Sequence, residues 1–167
     1  MDNNKKYKSF YFITAIVGMV LFVSQIGIYR KTIIPFKIPF TLTFIFAVLT
    51  FFIIHKKYRQ TYQNKNIFFP FAQSYVSFGF IACYIFIALN FYLADNNFEV
   101  KSFPILRKHT IGAKHPQPAI EIDYEGLEKQ LVFYTVQQKQ VDSSTQISLT
   151  VKKGFFGYDI FSNIELK

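Results

Sequence analysis

Three stretches of this sequence carry no formal charge: 21 residues between Lys8 and Arg30, 18 between Lys37 and Lys56, and 29 between Lys65 and Asp95. A helix needs about 20 mainly apolar residues to cross a hydrocarbon core of roughly 30 Å. Each interval is long enough, and spans are expected near Phe10 to Tyr29, Ile38 to Ile54 and Ser74 to Ala94. Pro70, within Ile67-Phe68-Phe69-Pro70-Phe71, must either interrupt a helix or open its first turn. That aromatic prelude is expected at the membrane interface. Tyr7, Tyr11, Tyr29, Tyr58, Tyr62, Tyr75 and Tyr92 fall near the span ends, where an amphipathic ring keeps its hydroxyl in water.

Composition enters here because it agrees. Only 17% of the 167 residues are charged, against roughly 25% in a soluble domain, while 51% are hydrophobic and 20% aromatic. Residues 1–97 hold ten Lys/Arg and two acids, and residues 98–167 hold nine Lys/Arg and eight acids. The basic excess therefore flanks the apolar stretches, which argues for membrane contact and against a nucleic-acid surface. Lys5, Lys6 and Lys8 ahead of the first span resemble the start of a signal peptide. The apolar run exceeds the usual 7 to 15 residues, and Val23-Ser24-Gln25-Ile26-Gly27 has no small-x-small cleavage pattern. The segment is expected to stay as an anchor, and neither end carries a lipidation motif.

Lys and Arg are retained on the cytoplasmic side of short loops. With the N-terminus inside, seven basic residues (Lys5, Lys6, Lys8, Lys56, Lys57, Arg59, Lys65) face the cytoplasm and six (Arg30, Lys31, Lys37, Lys101, Arg107, Lys108) lie outside. The count favours a multi-pass protein of the cytoplasmic (inner) membrane, N-terminus inside, with the C-terminal part outside or periplasmic.

From Phe98 onward the pattern changes to alternation, the signature of half-buried strands. Ile120, Ile122 and Tyr124 alternate with Glu121, Asp123 and Glu125, and Gly126 turns the chain into Gln130 to Thr135, which predicts a hairpin. Val100 to Leu106, Ile147 to Val151, Phe155 to Phe161 and Ile164 to Leu166 add further strands, and Arg107 to Pro118 reads as a loop. The expected architecture is an integral membrane α-helical region of three transmembrane helices (residues 1–97), followed by a small all-β domain of about five strands (residues 98–167). So short a segment buries a modest core, to which Phe133, Tyr134, Phe155, Phe156, Tyr158 and Phe161 are expected to contribute much.

Searched by chemistry, the sequence offers little. Cys83, the single cysteine, lies within the third span, so there is no intrachain disulfide and no thiolate cluster. His109 and His115 share a Pro/Gly-bearing stretch, yet nothing in the spacing fixes them on a metal. Glu121, Asp123 and Glu125 alternate as a solvated strand face opposite Lys129 or Lys139 would. Asp142-Ser143-Ser144-Thr145 lacks a nucleophile elbow, and Lys152-Lys153-Gly154 lacks the glycines of a phosphate loop. No catalytic, cofactor or metal residues are expected. Inside the spans Ser24, Gln25, Thr41, Thr43, Thr50, Ser74, Ser77 and Asn90 should face other helices, with Gln25 and Asn90 as intramembrane polar contacts. The absence of intramembrane Asp, Glu, Lys or Arg argues against a transport pathway.

These absences leave a non-enzymatic membrane-anchored β module, an accessory, scaffolding or regulatory subunit of a membrane complex, whose partners are the lipid bilayer and other membrane-protein subunits. An immunity-type protein that binds a toxin at the membrane and a membrane-embedded enzyme acting on lipid or peptide are the alternatives. Phe155-Phe156-Gly157-Tyr158 packs three aromatics into four positions. Adjacent side chains of a strand point to opposite sides, so at least one ring is expected to face outward, and Phe155, Phe156 and Tyr158 are the expected partner-binding residues, with packing on lipid or under the Arg107 to Pro118 loop as the alternative.

Overall fold

The computed structural model describes residues 3–167. Three continuous helices, Asn4–Arg30, Lys37–Tyr62 and Phe68–Tyr92, are long and apolar enough to cross a membrane. The first two are α1 (Asn3–Arg30) and α2 (Lys37–Tyr62); the third consists of α3 (Phe68–Ser74), a wide π-helical turn (Tyr75–Gly79) and α4 (Phe80–Tyr92). α2 runs eight residues beyond the expected span because Lys56, Lys57 and Arg59 end the apolar stretch without ending the helix. It stops where Gln63 turns left-handed (φ 51°) and donates its N–H to the Arg59 carbonyl. The third helix starts at Phe68, ahead of the expected Ser74. Pro70 falls in its first turn, where a missing N–H breaks no helical bond, and the Asn66 side chain accepts the Phe68 N–H at 2.9 Å.

The chain divides into two compact units, one of residues 1–29 and 34–91 and one of residues 30–33 and 92–167. In the helical unit the usual distribution is inverted. Thr43, Ala47, Ser74, Ser77, Cys83 and Asn90 are buried, while Phe12, Val23, Phe52 and Ile53 are exposed. Small and polar side chains between helices with large apolar ones outside is the arrangement a bilayer selects. The helices touch at glycines: a Cβ on Gly18 of α1 would run into the Val76 carbonyl oxygen of the π turn, and one on Gly79 would lie 2.8 Å from the Thr43 carbonyl oxygen of α2.

The second unit contains six antiparallel strands in two sheets, where about five were expected. β1 (Phe98–Pro104), β5 (Gln146–Lys153) and β6 (Asp159–Leu166) form one sheet in the order β1-β5-β6; β2 (Arg107–Ile111), β3 (Gln117–Tyr124) and β4 (Leu127–Val132) form the other in sequence order. The predicted hairpin is β3–β4, closed by Glu125 (φ 54°) and Gly126 (φ 85°), a two-residue turn whose paired positive φ angles match the twist of the strands. β4 has the expected length but lies three residues earlier than expected, and Thr135–Gln137 forms a 3-10 turn leading into the short helix α5 (Gln138–Ser143).

Three readings need correction. The expected loop from Arg107 to Pro118 contains β2 and the start of β3. β2 is an edge strand whose Arg107-Lys108-His109-Thr110 carries no apolar alternation, so its pairing with Gln117–Glu121 leaves no trace in the pattern. Phe155 to Tyr158 is the connection between β5 and β6 rather than a strand. Residues 159–166 form one strand, and its break in period between Phe161 and Ile164 is a bulge at Ser162 that keeps both side chains facing the core. The core itself is mostly aliphatic: Ile120, Ile122, Leu131, Ile147, Leu149 and Val151 fill it, and of the six aromatics expected there only Phe133 and Phe161 are buried within it.

One core residue comes from far away in the chain. Ile33, between α1 and α2, belongs to the same buried cluster. The Ile33 N–H donates to the Asp159 carbonyl at 2.7 Å, the Phe161 N–H donates to the Lys31 carbonyl at 3.0 Å, and Thr32 pairs with Ile160. Residues 31–33 thus extend the β1-β5-β6 sheet on the open edge of β6.

Candidate functional site

In the β unit the polar side chains converge on Asp159, the first residue of β6. Its carboxylate is almost fully buried. Lys153, the last residue of β5, meets Oδ1 at 2.7 Å, and the Tyr124 hydroxyl donates to Oδ2 at 2.7 Å. Burial, with the Asp159 hydrogen bond second, pushes the Tyr124 phenol up to about 12, against a smaller downward pull from Lys101. At neutral pH Tyr124 is therefore a fixed donor. Lys101 Nζ continues the chain, 3.3 Å from the Tyr124 hydroxyl and 3.0 Å from Glu125 Oε1. Glu99, Lys101, Lys152 and Lys153 border a cleft of about 110 Å³ beside Asp159. The network joins the two ends of the β5–β6 connection, Lys153 and Asp159, and stiffens what lies between them.

What lies between them is the aromatic tip. Gly154 donates its N–H to the Tyr158 carbonyl at 3.0 Å, and Gly157 donates to the Gly154 carbonyl at 2.8 Å. Gly157 has φ 83°, a conformation that costs a side chain roughly 1–2 kcal/mol. This tight loop turns both Phe155 (59% exposed) and Phe156 (43% exposed) outward, with their rings edge to face at 5.0 Å. Tyr158 is half-buried beside them. Two outward rings, where the strand reading required one, follow from the segment being a turn.

Lys129 is a functional-looking residue that the alternation hid. Expected on a solvated face opposite the β3 carboxylates, it pairs with Ile122 in register and lies on the core side of edge strand β4. It donates to the Thr32 carbonyl at 2.7 Å and sits 5.8 Å from the centre of the Phe161 ring. Burial pushes its ammonium down to about 8. The three alternating carboxylates, two on β3 and one in the turn after it, have separate roles instead: Glu121 pairs with Arg107 at 3.2 Å, Asp123 accepts the Gly126 N–H at 2.7 Å, and Glu125 holds Lys101. His109 lies against Gln130, with Glu121 3.9 Å away. Among the described residues no three His, Cys, Asp or Glu side chains gather as a metal would require.

In the helical unit Gln25 and Asn90 are both buried. The buried Cys83 of α4 neighbours Thr43 of α2 and Gln25 of α1, so one polar cluster draws on three helices. Gln25 Oε1 is buried with no hydrogen-bond partner, beside a cavity of about 150 Å³ lined by Phe22, Tyr29, Phe36 and Ile87. A second centre, built on a residue the sequence did not single out, surrounds Gln73. Its Nε2 donates to the Tyr11 carbonyl and to Ser77 Oγ, each at 2.8 Å, and Ser77 Oγ reaches Thr14 Oγ1 at 3.3 Å. Ser24 and Thr50, expected to face other helices, instead donate back to their own helices, to Val20 and Phe46, and Thr41 is exposed. A Ser or Thr hydroxyl can always satisfy itself on the carbonyl four residues earlier, so its presence in a span does not fix its direction.

Comparison with protein-family models, with curated proteins and with solved structures finds no match to this chain.

Proposed function

We propose that the chain is a multi-pass protein of the cytoplasmic membrane, N-terminus inside, whose β unit is a non-enzymatic module that holds or regulates a partner as an accessory subunit of a membrane complex. One observation carries this reading. Both segments that lead out of the β unit toward the helices leave it at the Lys153/Asp159 end of its larger sheet, where Ile33 bonds to Asp159 and Asp95 donates to the Lys153 carbonyl at 2.9 Å. The other end is left to present a surface. There Tyr134 (75% exposed) and Val136 (90% exposed) directly precede Gln137, which with Gln140 and Ile164 to Lys167 lines a groove of about 460 Å³. An exposed tyrosine held on a hydrogen-bonded turn is the kind of side chain enriched in binding hot spots, and Val136 adds apolar surface beside it.

Purification of the full chain from its own membranes in mild detergent, with companions identified by mass spectrometry, tests the proposal. A stoichiometric membrane-protein companion is expected, and it should be lost on combining Tyr134→Ser with Val136→Ser while circular dichroism stays unchanged. A companion that is a toxin would move the reading to immunity. A chain that purifies alone, or a companion indifferent to both substitutions, overturns it. A tag after Lys167 should be accessible from outside the cytoplasmic membrane and a tag before Met1 should not.

A further inference from the structure

The aromatic tip points to a different contact. We infer that Phe155 and Phe156 are an interfacial membrane anchor, seated at the headgroup and acyl boundary of the bilayer that the helices of the same chain cross. The inference rests on the membrane-spanning reading of those helices and adds to it a second point of attachment.

Place within the β unit is the first argument. The tip follows Lys153 and precedes Asp159, and these are the residues on which Asp95 and Ile33 close their hydrogen bonds. The two segments that continue into helices of membrane-crossing length therefore arrive at the end of the sheet from which the tip projects.

Chemistry is the second. Leu93 and Phe98 are also exposed at this same end, Phe98 being paired in register with Lys152, so the tip is not the only apolar surface there. Exposed Lys31 and half-buried Lys152 supply basic groups at this end, where Lys153 is already held by Asp159 and Asp95 and Glu99 line the neighbouring cleft. Aromatic rings accompanied by basic side chains match an interface whose acyl chains take the rings and whose anionic phosphates take the ammonium groups; such segments sit about 5–10 Å into the boundary. Rigidity is the third argument. The Lys153 to Asp159 ion pair and the two bonds within residues 154–158 fix the rings in place, so docking them on lipid orders little that is not already ordered.

The chain contains no tryptophan, which makes single substitutions spectroscopically unique. The full-length protein carrying Phe155→Trp or Phe156→Trp would be reconstituted in phosphatidylcholine and phosphatidylglycerol vesicles, with or without bromine on the upper acyl chain, and titrated with aqueous iodide. Phe52→Trp, at an exposed position of α2, reports whether the helix is in lipid; Tyr134→Trp reports the far end of the β unit. The expected result is that brominated lipid lowers emission about twofold or more for both tip variants and for Phe52→Trp, as for rings at or below the boundary. Iodide should quench only Tyr134→Trp. Tip variants quenched by iodide and indifferent to bromine, with Phe52→Trp still quenched by bromine, would overturn the anchor and leave the spanning helices standing. Tip variants shielded from both quenchers would show a second copy of the chain covering them, and overturn it as well. Loss of bromine quenching at Phe52→Trp would remove the spanning reading, and the anchor with it.

Discussion

Lys129 lies between Leu127 and Leu131 on the core side of β4, where an aliphatic side chain would serve stability better. Its ammonium is held at about 8, against an ordinary value of 10.5, because burial penalises the charge. The folded chain therefore binds fewer protons than the unfolded chain between about pH 8 and 10.5. Stability must rise with pH across that window, and the cost of the charge is felt in full below it. Lys129→Met is expected to gain about 1–2 kcal/mol at pH 7, the relief of desolvation less one lost hydrogen bond to Thr32. It should also abolish the Lys129 part of the rise, as read from the difference between wild-type and variant melting curves from pH 7 to 10. The lysine has a use on this strand all the same. β4 is an edge, and an inward charge is a common obstacle to edge-to-edge pairing, so the variant should be more stable and more prone to self-association.

Among the elements, the third helix owes its path to the π turn. The Phe80 N–H reaches back to the Tyr75 carbonyl, five residues away, and the widened turn puts Val76 and Ser77 directly against Gly18 of α1. Even one added methyl at Gly18 meets backbone, which has no rotamer to retreat into. Gly18→Leu is expected to cost about 2–3 kcal/mol, seen as earlier loss of helical signal on titration with a denaturing detergent. Gly27→Leu, on the same helix with nothing within 4 Å of its added carbon, should be nearly silent. The existence of all three apolar helices was legible in the sequence, because lack of charge over 18 residues or more is a demand that lipid makes and few soluble structures share. Their ends were not, since lipid depth and helix length are separate matters, as Lys56 to Tyr62 show. The β3–β4 hairpin was legible because Gly126 marks a turn that two strands alone could not hide. β2 was not, because Arg107 to Thr110 face water on one side and a partner strand on the other. The aromatics were misassigned to the core because residue type tells what a side chain would prefer, and only the connection between β5 and β6 decides what it is given.

For the whole molecule, the joining of residues 30–33 to the β unit fixes a parity. That segment and the tail fold as one body, so under the proposed membrane-spanning reading the two long helices between them leave and return to the same side. Single cysteines placed by Lys31→Cys and Lys139→Cys, on a Cys83→Ser background, should react with an impermeant maleimide from one side of sealed vesicles, and Lys56→Cys from the other. Reaction of the first two from opposite sides would break the three-span arrangement, whichever way the protein is inserted. The same junction governs the order of events during synthesis. Thr32 leaves the ribosome 97 residues before Lys129, the residue that will bind its carbonyl, and it must wait longer still for Ile160. Throughout that delay the connection between the first two helices has no sheet to join, and the edge of β6, once made, has no cover until Lys31 to Ile33 pair with it. Severing the tail from the helices would make that exposure permanent, leaving the Phe161 N–H open to strands of other molecules.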